Sequence, residues 1–338
     1  MDSTDLPWPP GTATGVGSWP GDEPLEACRV VVGELTDLPY LPELPARGPG
    51  ADIVGRAAAG VLSGIDVDVF AGRWRLATRP GFDQRRARAL LSRDLDALEE
   101  VAGDREGPVK VQVCGPWTLA ARLELPRGGP ALGDPGASRD VAESLAEGVA
   151  EYVAGVRRRL PGARVLVQID EPSLPAVLRG DIPTMSGFSR VAAVEPRTAQ
   201  EALAGVLGAI EGADGWPLVH GCAPDLPLRL LHDAGARGVS LDVSLLTSAD
   251  DDEVGELVEA GLGLLVGCVP TSEPATPLSA DDVLTTVRDW WKRIGLTTDQ
   301  LVTRTALTPT CGLAGASPSW ARDATALAVR AARTVADR

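Results

Sequence analysis

The stretch RVLVQIDEP, residues 164–172, is largely apolar at both alternating positions and then ends in two carboxylates and a proline. A strand has this pattern when both of its faces are covered, because neither face then meets water. Such strands occur in parallel sheets that carry helices on both sides. The stretch therefore predicts a parallel α/β fold whose polar residues lie at the carboxyl end of the strand.

Seven other stretches are short apolar runs, rich in β-branched residues and bounded by glycine or proline. They are residues 12–20, 38–44, 109–117, 217–222, 238–245, 262–270 and 302–312. Amphipathic helical patterns lie between them, so that strand and helix alternate along the chain. Eight strands in alternation favour a single (β/α)8 TIM barrel, and an open doubly wound sheet is the alternative.

The same pattern sets the predicted boundaries. Residues 1–10 are predicted to be an N-terminal tail, and residues 11–338 a single catalytic barrel. Residues 63–79 predict an extra β excursion, in the form of a hairpin. Residues 125–139 are rich in glycine and proline and predict a loop after the third strand. A loop at that end of a barrel is a lid candidate, and an ordinary surface loop is the alternative.

The composition argues against several classes of partner. A net charge of −15 disfavours a nucleic-acid-binding surface. No uninterrupted apolar run of about 20 residues occurs, so we expect no membrane span. The five cysteines are odd in number and widely spread, which is typical of a reducing compartment rather than a disulfide framework. We therefore expect a cytoplasmic protein with no nucleic-acid or membrane partner.

Potential metal ligands fall at the ends of the predicted strands. His220 and Cys222 are two positions apart on one strand and so face the same way. Asp242 ends the next strand and Cys311 follows the last one, and the carboxyl ends of barrel strands converge at one mouth. One imidazole, two thiolates and one carboxylate suit Zn²⁺. The alternative is a buried cysteine beside a hydrogen-bonded histidine.

Asp170 and Glu171 form the second polar feature at a strand end. Neighbouring residues on a strand point to opposite faces, so the two carboxylates are not expected to act as an acid/base pair. One of them is suited to bind a substrate ammonium group, and the other to fix a loop or a helix N-terminus. The alternative is a pair of ordinary turn carboxylates.

Five motifs resemble, in the same order, those of the catalytic barrel of cobalamin-independent methionine synthase. They are TGVGSWP (residues 14–20), VCGPWTL (113–119), QIDEPSL (168–174), HGC (220–222) and PTCGL (309–313). The resemblance implies one catalytic zinc ion and a homocysteine substrate. It implies metal ligands at His220, Cys222 and Cys311, with Asp242 at the place of a family glutamate. The predicted substrate-binding residues are Val16, Gly17, Ser18, Asp170 and Glu171.

The departures from that family bear on the methyl donor. A histidine late in the family barrel, thought to protonate a folate leaving group, has no counterpart, and Cys268 falls at its place. We therefore count Cys268 among the candidate catalytic residues, together with the four candidate zinc ligands. Several folate contacts of the family are likewise unmatched. This pattern resembles short single-barrel relatives that are thought to use a methylated corrinoid.

The sequence thus predicts a zinc-dependent homocysteine S-methyltransferase that forms methionine from a zinc-bound thiolate. The expected donor is methylcobalamin or a corrinoid protein rather than methyltetrahydrofolate. The alternatives are a non-catalytic thiol- or metal-binding barrel, acting as a sensor or carrier, and a methyltransferase for another thiol. A porphyrin decarboxylase of the same superfamily is disfavoured, because the opening segment offers Ser18 and Trp19 where an arginine-rich run is expected.

Overall fold

The computed structural model of the protein describes residues 6–336, in which helices and strands alternate. The strands are β1 (Asp66–Phe70), β2 (Arg73–Ala77), β3 (Gly107–Cys114), β4 (Ala163–Asp170), β5 (Trp216–Gly221), β6 (Gly238–Asp242), β7 (Gly263–Val269) and β8 (Thr305–Pro309). The helices are α1 (Pro24–Glu34), α2 (Ile53–Gly60), α3 (Phe82–Ala102), α4 (Pro116–Arg122), α5 (Pro135–Arg159), α6 (Leu174–Arg179), α7 (Pro196–Gly212), α8 (Leu228–Asp233), α9 (Asp251–Glu259), α10 (Ala280–Arg293), α11 (Thr298–Arg304) and α12 (Pro318–Ala336).

Strands β3 to β8 form one parallel sheet in the order of the chain. Their buried residues occupy both faces, as the sequence pattern predicts for strands that are covered by helices. The register places Asp170 opposite Cys114 on one side and opposite His220 on the other. The polar residues at the strand ends therefore lie along one rim of the sheet.

The first two predicted strands are extended segments rather than regular strands. Residues 12–19 bridge to β8 through Ala13 and Leu307, and to residues 39–43 through Ser18 and Glu43. The second segment bridges to β3 through Tyr40 and Lys110. The two segments thus join both edges of the sheet, which confirms a TIM-barrel-like fold and not an open doubly wound sheet.

These segments pair irregularly for two physical reasons. Pro39 and Pro42 lack the N–H group that a continuous ladder requires. Gly15 lies so close to the ring of Tyr40 that a Cβ atom there would be 2.3 Å from it. The pattern of apolar residues thus predicts where the two segments lie. Their irregular hydrogen bonding to the neighbouring strands follows from the prolines and from the close contact of Gly15 with Tyr40.

A separate apolar cluster fills the barrel towards the amino ends of its strands. Trp8, Leu166, Trp216 and Leu218 belong to it, and the rings of Trp8 and Trp216 meet edge to face at 5.3 Å. Residues 1–5 of the predicted tail lie outside the described range, while Trp8 packs against the barrel. Among residues 6–336, no helix combines the length and apolar character needed to cross a membrane.

The two insertions have distinct structures. β1 and β2 form the predicted antiparallel hairpin, whose turn at Ala71 and Gly72 has positive φ at both residues. Residues 125–130 form a tight turn that returns beside Glu124, and α5 already begins at Pro135. The predicted loop of residues 125–139 is therefore partly helical, and its role as a lid stays a prediction.

Candidate metal and substrate site

Three of the predicted metal ligands lie together at the carboxyl end of the barrel. The ligand atoms of His220, Cys222 and Cys311 are all within 4.8 Å of one another. The two sulfur atoms are 2.9 Å apart, and Sγ of Cys311 is 4.0 Å from Nε2 of His220. Residues separated by about 90 positions in the chain thus form one cluster, because β5 and β8 both end at this rim.

Ser240 on β6 orients the His220 ring. Nδ1 of His220 lies 3.1 Å from the Ser240 carbonyl oxygen and 3.0 Å from its hydroxyl oxygen. A carbonyl oxygen only accepts hydrogen bonds, so Nδ1 carries the ring proton and donates it to Ser240. The unprotonated Nε2 then directs its electron pair towards the thiols. Metal-binding histidines characteristically have such a partner on their second nitrogen.

The two clustered thiols have opposite acidities. The hydrogen bond from Cys222 lowers the pKa of Cys311 to about 4, against the effect of burial, and His220 lowers it further. The same hydrogen bond and burial raise the pKa of Cys222 far above its ordinary value. One proton is thus shared between two sulfurs, and a soft divalent cation is suited to replace it. Two sulfurs and one nitrogen fit zinc, and three protein ligands leave the open position of a catalytic site.

Asp242, the fourth predicted ligand, is not part of this cluster. Its Oδ1 accepts hydrogen bonds from the backbone N–H of Ser244 at 2.9 Å and from the Ser244 hydroxyl at 2.6 Å. The carboxylate therefore caps the short turn Val243–Leu245. The carboxylate that the sequence analysis proposed as a metal ligand thus forms its hydrogen bonds within a local turn.

Cys268 lies near the same rim but differs from the clustered thiols. Its sulfur is 3.8 Å from the carbonyl oxygen of Thr308. Burial raises the pKa of Cys268 to about 12, so it is a neutral thiol at physiological pH. A neutral thiol is a poor nucleophile and a poor acid, and the predicted catalytic role of Cys268 is not favoured by its surroundings.

Asp170 lies beside the cluster on the neighbouring strand, in register with His220. It is buried, and the amide of Gln168 donates to its Oδ1 at 2.6 Å. Burial raises the pKa of Asp170 to about 7, although His220 and Gln168 counteract this effect. A carboxylate in this position is suited to pair with a cationic group of a ligand.

The opening segment with Val16, Gly17 and Ser18 is in contact with both parts of the site. The Val16 carbonyl oxygen accepts a hydrogen bond from Gln168 at 2.8 Å. A Cβ atom on Gly17 would lie 3.1 Å from the side chain of Gln112. The backbone oxygen of Ser18 accepts from the N–H of Leu313, just after Cys311. The segment therefore connects the predicted substrate residues to the thiol cluster.

Glu171 points away from Asp170 and is fully buried. One carboxylate oxygen accepts from the N–H of Trp117 at 2.8 Å, and the other accepts from the N–H and hydroxyl of Thr118 at 2.8 and 2.6 Å. Burial raises its pKa to about 7, against these hydrogen bonds. Glu171 thus holds the N-terminus of α4, which is the role predicted for one of the two carboxylates. Its oxygens are taken up by this helix, and its predicted part in substrate binding stays a prediction.

The sequence interpretation missed the polar residues inside the barrel below this site. Lys110, Gln112 and Gln168 are buried and hydrogen-bonded to one another or to the opening segment. The signal was present in the sequence, because Lys110 with Gln112 and Gln168 with Asp170 are two positions apart and share a face of their strands. In apolar strands such residues mark the face that lines the site.

Together, the fold and the cluster define a barrel of the α/β class with an imidazole–thiol site at the carboxyl ends of its strands. The family model described as "Cobalamin-independent synthase, Catalytic domain" matches residues 97–334, and the chain belongs to this family. The predicted resemblance is thereby confirmed, and the chain carries a catalytic domain of the methionine synthase type.

One solved structure, a methionine synthase, supports the fold. A B12-independent methionine synthase from Shewanella sp. W3-18-1, in complex with selenomethionine, has a TM-score of 0.58 and 15% identity and covers 98% of this chain and 96% of its own. A 2,3-dimethylmalate lyase has a TM-score of 0.38 and 16% identity, over 92% of this chain and 80% of its own. No curated protein matches the chain at a significant level.

Proposed function

We propose that this protein is a zinc-dependent S-methyltransferase that methylates the thiol of homocysteine to give methionine. The observation that carries the proposal is the cluster of His220, Cys222 and Cys311 beside Asp170. Adjacent strands lie about 5 Å apart, so a sulfur at the cluster and an ammonium at Asp170 are within reach of one small amino acid. The similar synthase was solved with selenomethionine, an analogue of such a product.

Each group of the chain has a definite role in this reaction. His220, Cys222 and Cys311 would hold zinc, and a bound zinc ion supplies a Lewis acid that lowers the pKa of a substrate thiol. Ser240 keeps the His220 ring in its ligating orientation. Asp170 accepts the substrate ammonium group, and the segment Val16–Ser18 lies against the amino-acid end. The thiol releases its proton to water, its sulfur forms a bond to the donor methyl group, and the bond from methyl to donor breaks with its electron pair left on the donor.

Two methyl donors fit this reaction, and one observation favours each. The family is described as cobalamin-independent, which favours methyltetrahydrofolate. Against it, a folate nitrogen needs a proton as it leaves, and the only histidine besides His220 is His232. His232 lies on α8 beside Asp233 and near Trp216, at the opposite end of the barrel. A corrinoid leaves as cobalt(I) and needs no proton, so we propose a methylated corrinoid as the donor.

A comparison of donors with zinc-loaded protein tests this proposal. Methylcobalamin and methyltetrahydrofolate are each offered with homocysteine, and methionine is measured. We expect turnover with the corrinoid. Turnover with folate alone would overturn the donor assignment and leave the methyltransferase intact. Homocysteine binding without turnover by either donor would favour a sensor or carrier, and turnover with a different thiol only would replace the acceptor.

A further inference from the structure

The chain has only two lysines, and one of them lies in the interior of the barrel. The sequence contains 30 arginines but only two lysines, Lys110 and Lys292. Lys292 is exposed on α10, whereas Lys110 on β3 is fully buried. A chain that uses arginine almost everywhere for its positive charges has a compact ammonium at this one internal position.

The contacts of Lys110 show what this ammonium does. Its Nζ donates to the Val16 carbonyl oxygen at 2.7 Å and to the Gln168 side-chain oxygen at 2.8 Å. The Gln112 side-chain oxygen is 3.4 Å away, and the ring of Tyr40 lies below at 5.2 Å. An ammonium can donate in three directions from one point, whereas the guanidinium of arginine is a wider planar group with a fixed fork of donors.

The hydrogen bonds continue from Lys110 to the candidate substrate site. Gln168 accepts from Lys110 and donates to the Asp170 carboxylate at 2.6 Å and to Val16 at 2.8 Å. The other buried acid near Lys110, Glu43, has its own partner, because Arg56 lies 3.3 Å from it. Burial lowers the pKa of Lys110 to about 7, and Asp170 and Glu43 counteract this effect. Lys110 is therefore the basic side chain that is linked to Asp170 through one intervening amide.

We propose that Lys110 is a positioning residue that, through Gln168, fixes Asp170 and the Val16 segment to receive the ammonium group of an amino-acid thiol. Because Gln168 engages Oδ1 of Asp170, Oδ2 is the oxygen assigned to the ligand. The inference rests on the proposed function and deepens it: Lys110 makes the site selective for thiols that carry an α-amino group. It does not act on the metal cluster itself.

The scarcity of lysine allows a direct test on the unmodified chain. Protein labelled with ¹⁵N-lysine should give two Nζ signals, which the exposed-site variant Lys292→Met assigns. Saturating homocysteine is expected to shift the Lys110 signal and leave that of Lys292 in place. The same thiol without its amino group, 4-mercaptobutanoate, should leave the Lys110 signal unchanged. A Lys110 signal that ignores bound homocysteine, or responds equally to both thiols, would overturn the inference.

Variants give an independent readout by calorimetry on zinc-loaded protein. Lys110→Met, and Lys110→Gln in case the first change unfolds the barrel, should bind homocysteine about tenfold or more weakly. Their affinity for 4-mercaptobutanoate and their zinc content should stay as in the wild type, and Lys292→Met should change nothing. A folded Lys110 variant that keeps its preference for homocysteine contradicts the inference. Wild-type protein that binds neither thiol contradicts the proposed function instead.

Discussion

At the scale of single residues, the second nitrogen of His220 decides how the cluster is built. Ser240 holds it through both a carbonyl and a hydroxyl oxygen, so the imidazole presents Nε2 to Cys222 and Cys311. Partners of this kind typically change metal affinity by about 10- to 100-fold. A substitution of Ser240 removes its hydroxyl but keeps its backbone carbonyl, so we expect a loss of zinc affinity at the lower end of this range.

Ser240→Ala is therefore predicted to weaken zinc binding about tenfold. Competition with a chromogenic chelator measures the change. Ser244→Ala is the matched control, because its hydroxyl contacts Asp242 and not the cluster. Equal zinc affinity in the Ser240 variant and in the wild type would show that this contact does not orient the ligand.

Asp242 provides a second prediction at this scale. Since its carboxylate is taken up by Ser244, Asp242→Asn is expected to keep the zinc content of the wild type. Metal analysis of the two purified proteins checks this. Loss of zinc from the variant would restore Asp242 as a ligand and show that the carboxylate turns towards the cluster when the metal binds.

At the scale of the elements, Glu171 links the end of β4 to the start of α4. Its two oxygens accept three hydrogen bonds from Trp117 and Thr118, in a place closed to water. Glycine at position 115 permits this approach, because a Cβ atom there would lie 2.4 Å from a Glu171 oxygen. The strand that carries Asp170 is thus attached to the neighbouring helix directly beside the site.

Glu171→Gln should lower the free energy of unfolding by about 2 kcal/mol, since an amide offers one acceptor oxygen and turns a second donor towards the helix N–H groups. Thermal or denaturant unfolding measures the loss. Glu195→Gln is a suitable control, because Glu195 precedes α7 without a side-chain cap. A Glu171 variant as stable as the control would mean that these hydrogen bonds do not hold α4.

The sequence predicts the elements of this fold well where their pattern is regular. The strand at residues 164–172 reads as buried on both faces, and the structure has β4 there with Asp170 at its end. The segments around Val16 and Tyr40 are placed correctly but pair irregularly, because prolines remove donors and Tyr40 crowds Gly15. The position of Asp242 at a strand end does not show that Ser244, two residues later, donates hydrogen bonds to its carboxylate, and its role as a metal ligand stays a prediction.

At the scale of the whole molecule, the barrel brings residues from both ends of the chain to one rim. The opening segment with Ser18 contacts the loop after Cys311, nearly 300 residues later. Beneath the rim, Lys110 and Gln168 form a buried polar layer, and an apolar cluster around Trp8 and Trp216 fills the barrel below. The thiol cluster, Asp170 and the buried residues that support them therefore lie one above the other in the same barrel.

The central claim is that His220, Cys222 and Cys311 hold a catalytic zinc ion for thiol methylation. The most direct measurement determines zinc content and methionine formation from homocysteine in the same samples of wild type, Cys311→Ser and Cys28→Ala. The wild type and the Cys28 variant, whose altered thiol lies in the core on α1, should hold one zinc per chain and form methionine, whereas Cys311→Ser should lose both. Wild-type protein without stoichiometric zinc, or a Cys311 variant that keeps full zinc and full methyl transfer, would contradict the claim.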